Sequence, residues 1–79
     1  MQSDAKILER IGVSIRTLRR AQNLTQQKLS ERSRVHRKFI SMVERGQHNV
    51  SVLTLCQIIH ALGKDFTTFI CDLEKELQS

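Results

Sequence analysis

The sequence predicts an all-α fold of five short helices, and three observations carry that expectation. The 79 residues include no proline and only three glycines, which leaves little material for hairpins, bulges or flexible linkers. Apolar residues recur at three- and four-residue steps, the period of a helix with one buried face. The breaks between these stretches are short and polar, and each supplies a residue able to cap a helix end.

Ser3 or Asp4 caps a first helix whose Ile7, Leu8, Ile11, Ile15 and Leu18 lie on one stripe, extending to about Gln22. Gly12 inside it costs roughly 0.5 to 1 kcal/mol relative to alanine, so it marks either a fraying entry or a close contact. Asn23-Leu24-Thr25 reads as a turn ending in an N-cap, with the Thr25 hydroxyl placed to accept from the amide of Lys28. A second helix spans about Gln26 to Ser33. Ser33-Arg34-Val35-His36 then breaks the pattern, and helical spacing resumes at Ile40 and Val43. Val35 is expected to plug the wedge between the two short helices while His36 caps the third. Gly46 suits the position just past that helix's end. A polar loop follows from Gln47 to Val50. Ser51 caps a fourth helix carrying Val52, Leu55, Cys56, Ile58, Ile59 and Leu62, and Gly63 ends it. Asp65 caps a fifth, striped by Phe66, Phe69, Ile70, Leu73 and Leu77.

One domain over residues 1–79 is expected, and domains of this size bury only about 60% of their unfolded surface, so a second copy would supply missing burial. The net charge of +5 is unevenly spread. Residues 16–48 hold nine basic side chains against only Glu31 and Glu44, whereas residues 62–79 are net acidic. Such clustering suits a polyanionic partner, because each neutralised phosphate releases condensed counterions. A basic face can also be merely solvated, or meet a membrane or an acidic protein. No apolar run reaches the roughly 18 residues of a membrane span and no secretory leader is evident, so the expected setting is cytoplasmic, without membrane contact. Cys56 and Cys71 are too few for a disulfide framework and are expected as buried or half-buried free thiols. His36, His48 and His60, twelve apart, share no helix face in ligand geometry, so no metal and no cofactor is expected. Without a phosphate-cradling glycine loop, a ligand set or a nucleophile beside a base, an enzyme is not expected. RNA binding is disfavoured because Phe39 is the one aromatic residue within the basic block.

The run RTLRRAQNLTQQKLSERSRVHRKFISMVERG, from Arg16 to Gly46, followed by NVSVLTLCQIIHALG, from Asn49 to Gly63, resembles the DNA-binding domain of the phage repressor and Cro family, also called the Xre family. The features are independent: a basic first helix, Thr-Gln opening the second, a plugged turn, Ile-Ser in the third, Glu-Arg-Gly closing it and Ala-Leu-Gly ending the fourth. Within that family the segment HRKFISMVERGQHN is similar to restriction-modification controller proteins. The resemblance implies a compact five-helix, lambda-repressor-like domain. Its helix-turn-helix would cover about residues 25–45, at helices two and three, with dimerisation helices over about 51–77.

In such a domain the amino end of helix three meets base edges in the major groove. Arg37 and Lys38 resemble the family's base-reading residues, and Ser41 lies one turn on. Phe39 is either a core aromatic or a contact to a thymine methyl or sugar edge. Backbone phosphates would be held by Arg19, Thr25, Gln26, Arg34, Arg45, Gln47, His48 and Asn49. Glu44, one of two acids in the basic block, is expected to pair with Arg19 and tie helix one to helix three. The sequence departs from the family pattern at Arg34, where glycine is usual, at Ser30 for alanine and at Val50 for proline. Arg34 therefore implies either an altered turn or a strained residue that reaches phosphate.

The function implied is a sequence-specific regulator of transcription on double-stranded DNA, a homodimer on a pseudo-palindromic operator, autoregulatory, with RNA polymerase as a further candidate partner. Val52, Cys56, Ile59, Phe69, Leu73 and Leu77 are expected at the dimer interface, the other possibility being that they finish the core. The alternative is an antitoxin-like protein that binds DNA and neutralises a toxin. Its usual extra tail would have to come from Glu74 to Ser79.

Overall fold

The computed structural model describes residues 3–78 and contains five helices: α1 (Asp4–Ala21), α2 (Gln26–Ser33), α3 (Arg37–Glu44), α4 (Val52–Ala61) and α5 (Phe66–Gln78). The expected caps form at four helix starts in succession. Ser3 accepts from the Lys6 amide at 3.2 Å, Thr25 from Lys28 at 3.0 Å, His36 Nδ1 from Lys38 at 3.0 Å and Ser51 from Thr54 at 3.1 Å. Each satisfies an amide that the helix itself leaves without an acceptor. At α5 the Thr68 amide and hydroxyl both donate to Asp65, at 2.8 and 2.7 Å, which holds that carboxyl below the ordinary aspartate range.

The core is one contiguous cluster fed by all five helices and by the turns between them. Ile15, Leu29, Ile40, Ile58 and Ile59 are completely enclosed, joined by Leu24 and Val35 from the connections and by Phe69 and Leu73 from α5. Burying each large aliphatic side chain contributes about 1.5 to 3 kcal/mol, and this tertiary burial holds two eight-residue helices that would be marginal alone. α1 packs on α3 and α5, and α2 packs on α3 and α4. Polar ties close the periphery: Gln22 Nε2 donates to the Leu62 carbonyl at 2.7 Å, and Arg10 meets Glu76 at 2.6 Å.

Three expectations about the dimer face need correction. Ile59, Phe69 and Leu73 lie inside the protein's own core, because the stripes of α4 and α5 turn inward against α1 and α2. Cys71, expected to be at least half-buried, is exposed, one position beyond the inward stripe. α1 ends one residue earlier than expected, at Ala21, where Asn23 takes a left-handed φ of 58°. Glu74 to Gln78 complete α5 rather than forming a tail, and Ser79 lies outside the described residues.

Arg34 and Gly12 each have a local explanation. Arg34 sits at φ 61°, ψ 23°, the left-handed conformation, and its N–H donates to the Ser30 carbonyl at 2.9 Å. The family turn is thus kept with arginine in glycine's place, at a strain of roughly 1 kcal/mol. Gly12 is a close contact and not a frayed entry. A Cβ there would lie 2.6 Å from the Glu44 carbonyl oxygen and nearer still to that of Val43. Gly12→Ala is accordingly expected to destabilise by about 1 to 3 kcal/mol despite alanine's better helix propensity, measured by chemical denaturation. An unchanged midpoint would mean that α1 and α3 can separate without cost.

Candidate nucleic-acid interface

α3 starts at a sharp turn whose geometry decides which side chains face out. Arg34 ends α2, Val35 drops into the core, and His36 fixes the first turn of α3 through its cap. Ile40 and Val43 are then buried, so Arg37 and Lys38 are left fully on the surface at the helix's amino end. Ser41, one turn on, is half-buried.

Phe39 is 42% exposed, which excludes the core reading. Its ring lies edge-on to His36, with centroids 6.4 Å apart, and tilted over His48 at 5.4 Å. The aromatic contact ties the loop after α3 back to the first turn of α3. Around this loop Arg45, Gln47 and Asn49 are exposed and His48 is half-buried. Thr25 is exposed and Gln26 half-buried at the start of α2, where free amides and the helix dipole favour an anion. The result is one polar, cationic ridge of helical width. Such a ridge fits a B-DNA major groove, about 12 Å wide, with hydrogen-bond donors aimed at base acceptors and phosphates.

Behind the ridge sits the most constrained polar group in the protein. The Glu44 side chain is wholly buried. Its Oε2 accepts from Arg19 Nε at 2.7 Å, and its Oε1 accepts from Arg19 Nη2 at 3.0 Å, Gln26 Nε2 at 3.2 Å and Arg16 Nε at 3.4 Å. Arg19 Nη1 donates to the Leu24 carbonyl at 2.7 Å. Burial pushes the Glu44 carboxyl upward, but the bonds from Arg19 and Gln26, the Arg19 charge and the Arg16 bond together hold it below the ordinary glutamate range. The bond to Glu44 raises Arg19 in turn.

Arg19 and Glu44 form the ion pair at the centre of this network. Three of the five Arg19 N–H groups are engaged and only 10% of its side chain is accessible, which leaves one N–H on each terminal nitrogen beside the structural pairing. Sequence reasoning missed three features. Arg16 and Gln26 converge on Glu44, and Leu53 stands beside Val52 as an exposed apolar pair, at 71% and 69%. Leu53 was findable, since it lies about 160° around the helix from Leu55 at 100° per residue. Cys56 and Leu77 are half-buried. Among the described residues no three His, Cys, Asp or Glu side chains are grouped to hold a metal ion, and no helix is long and apolar enough to cross a membrane.

Residues 15–69 match a family model described as Helix-turn-helix. The control protein C.SmaI of Serratia marcescens is 39% identical over 57 residues, covering 72% of this chain and 68% of its own length. The control protein C.BamHI of Bacillus amyloliquefaciens is 39% identical over 64 residues, covering 72% and 79%. Among solved structures, the restriction-modification controller protein C.Esp1396I, a tetramer in complex with its natural 35 base-pair operator, is similar with a TM-score of 0.83 at 27% identity. That match covers 92% of this chain and 96% of the other.

Removing the carboxylate leaves Arg19 buried without its counter-charge, a change that typically costs about 3 to 5 kcal/mol. Glu44→Ala should lose stability by that order in chemical denaturation at neutral pH, with ligand binding lost as a consequence. Because the folded carboxyl titrates below its unfolded value, its contribution is complete above the ordinary glutamate range and declines as the pH falls through it. The gap between wild type and variant should therefore narrow on acidification. Unchanged melting together with lost binding would refute the structural role.

Proposed function

Since this chain belongs to the helix-turn-helix family of DNA-binding transcriptional regulators, we propose that it is a sequence-specific, autoregulatory regulator of the controller type. It acts as a homodimer on a pseudo-palindromic operator. The observation that carries this reading is the outward display of Arg37, Lys38 and Phe39 at the amino end of an eight-residue helix braced by the core. Arg37 can donate two parallel bonds to guanine O6 and N7, and Lys38 and Ser41 can reach neighbouring bases or phosphates. Phe39 offers its exposed ring to a thymine methyl. Thr25, Gln26, Arg34, Arg45, Gln47, His48 and Asn49 would hold the backbone on either side, setting register and affinity but not sequence.

One such ridge presents too few base-reading side chains for regulatory affinity, which generally takes two half-sites about one helical turn apart. The exposed pair Val52 and Leu53, with the half-buried Cys56 on the same side of α4, is the apolar surface best suited to a two-fold contact. It follows the 45–51 loop directly, so pairing there would hold two copies of α3 in a fixed relation.

Titration against matched, singly mismatched and unrelated duplexes at several salt concentrations tests the reading. Arg37→Ala should cost about 1 to 3 kcal/mol of discrimination at one base pair of each half-site, whereas Arg45→Ala should weaken all sequences alike and lower the salt slope by about 1. Equal losses on every sequence for Arg37→Ala would remove it from base reading. Separately, Val52→Asp with Leu53→Asp should give a folded monomer by sedimentation, and a persisting dimer would move the interface elsewhere.

A further inference from the structure

The charges around Glu44 do not balance. One buried carboxylate faces two guanidinium groups, and Arg19 claims it with two of the three shortest contacts, bonding both oxygens. Arg16 meets it only through Nε, at 3.4 Å, the longest of the four contacts. Its terminal amino groups make no hydrogen bond among the described residues, and 40% of its side chain is open to solvent. One positive charge is thus left over, and it resides on the more exposed arginine.

The location of that charge is defined by the shared acceptor. Arg16 Nε and Gln26 Nε2 donate to the same oxygen, so Arg16 stands beside the first residue of α2. Thr25, Gln26 and Gln27, which open that helix, are all neutral, and its first turn carries no acid. Lys28, in the same turn, leans toward Glu31 at 3.7 Å and Arg19 is mostly engaged internally, so Arg16 is a further cation beside the amino end of α2. Guanidinium geometry suits this division, since Nε can be anchored while the two terminal groups form a fork matched to phosphate oxygens.

We infer that Arg16 is a backbone-phosphate ligand of the DNA interface, held by Glu44 through Nε with its free fork directed to the strand that passes the start of α2. The inference rests on the DNA-binding reading above and adds Arg16 to the phosphate contacts expected from the sequence. A phosphate there would complete the neutralisation that Glu44 leaves half done.

The test uses the whole protein and a mixed-sequence duplex of about three helical turns, with affinity measured across a salt series. Arg16→Ala should weaken binding several-fold at low salt and flatten the slope of log affinity against log salt by about 0.9, one phosphate contact. Arg16→Lys should return the slope to the wild-type value, and both variants should melt within a few degrees of wild type. An unchanged slope in Arg16→Ala overturns the inference, as does a large fall in melting temperature in both variants, which would make the residue a structural brace. Absence of duplex binding by the wild type would instead sink the parent reading.

Discussion

The buried carboxylate of Glu44 is the constraint on which the remaining architecture depends. It closes α3, and its two oxygens collect donors from α1 and from the first residue of α2. Ion pairs of this kind seldom add much net energy, because desolvation offsets most of the attraction. Their effect is on arrangement: a buried acid with four donors tolerates few alternative placements. The relative positions of three helices are therefore set by a polar group, while the aliphatic core supplies the bulk of the favourable free energy.

Around that anchor the short helices are secured at their ends. α2 and α3, eight residues each, have almost no intrinsic stability, so Thr25, His36 and the left-handed Arg34 determine where they start and stop. The aromatic contact of Phe39 with His48 extends the same economy to the loop beyond α3. Side chains that fix the backbone here lie next to those displayed to solvent, so positioning and display share one short stretch of chain.

Much of the fold was legible in the sequence because helical period and caps are local signals. Ser3, Thr25, His36, Ser51 and Asp65 each announce a helix within a few residues. Long-range matters were less readable. A stripe such as Ile59, Phe69 and Leu73 looks the same whether it meets its own core or a second copy, and only the packing of α4 and α5 against the other helices decides. The Arg19 to Glu44 pairing could be expected from the scarcity of acids, but the convergence of Arg16 and Gln26 on one oxygen depends on how α1 and α2 both pack on α3.

The approach of Gly12 to the last carbonyls of α3 has an evolutionary consequence. Where two helices meet through main-chain atoms, their spacing does not depend on which side chains decorate the outer face of either. Residues on that outer face can be exchanged while the mount stays put, so new target preferences can arise by substitution at a handful of codons without renegotiating the scaffold.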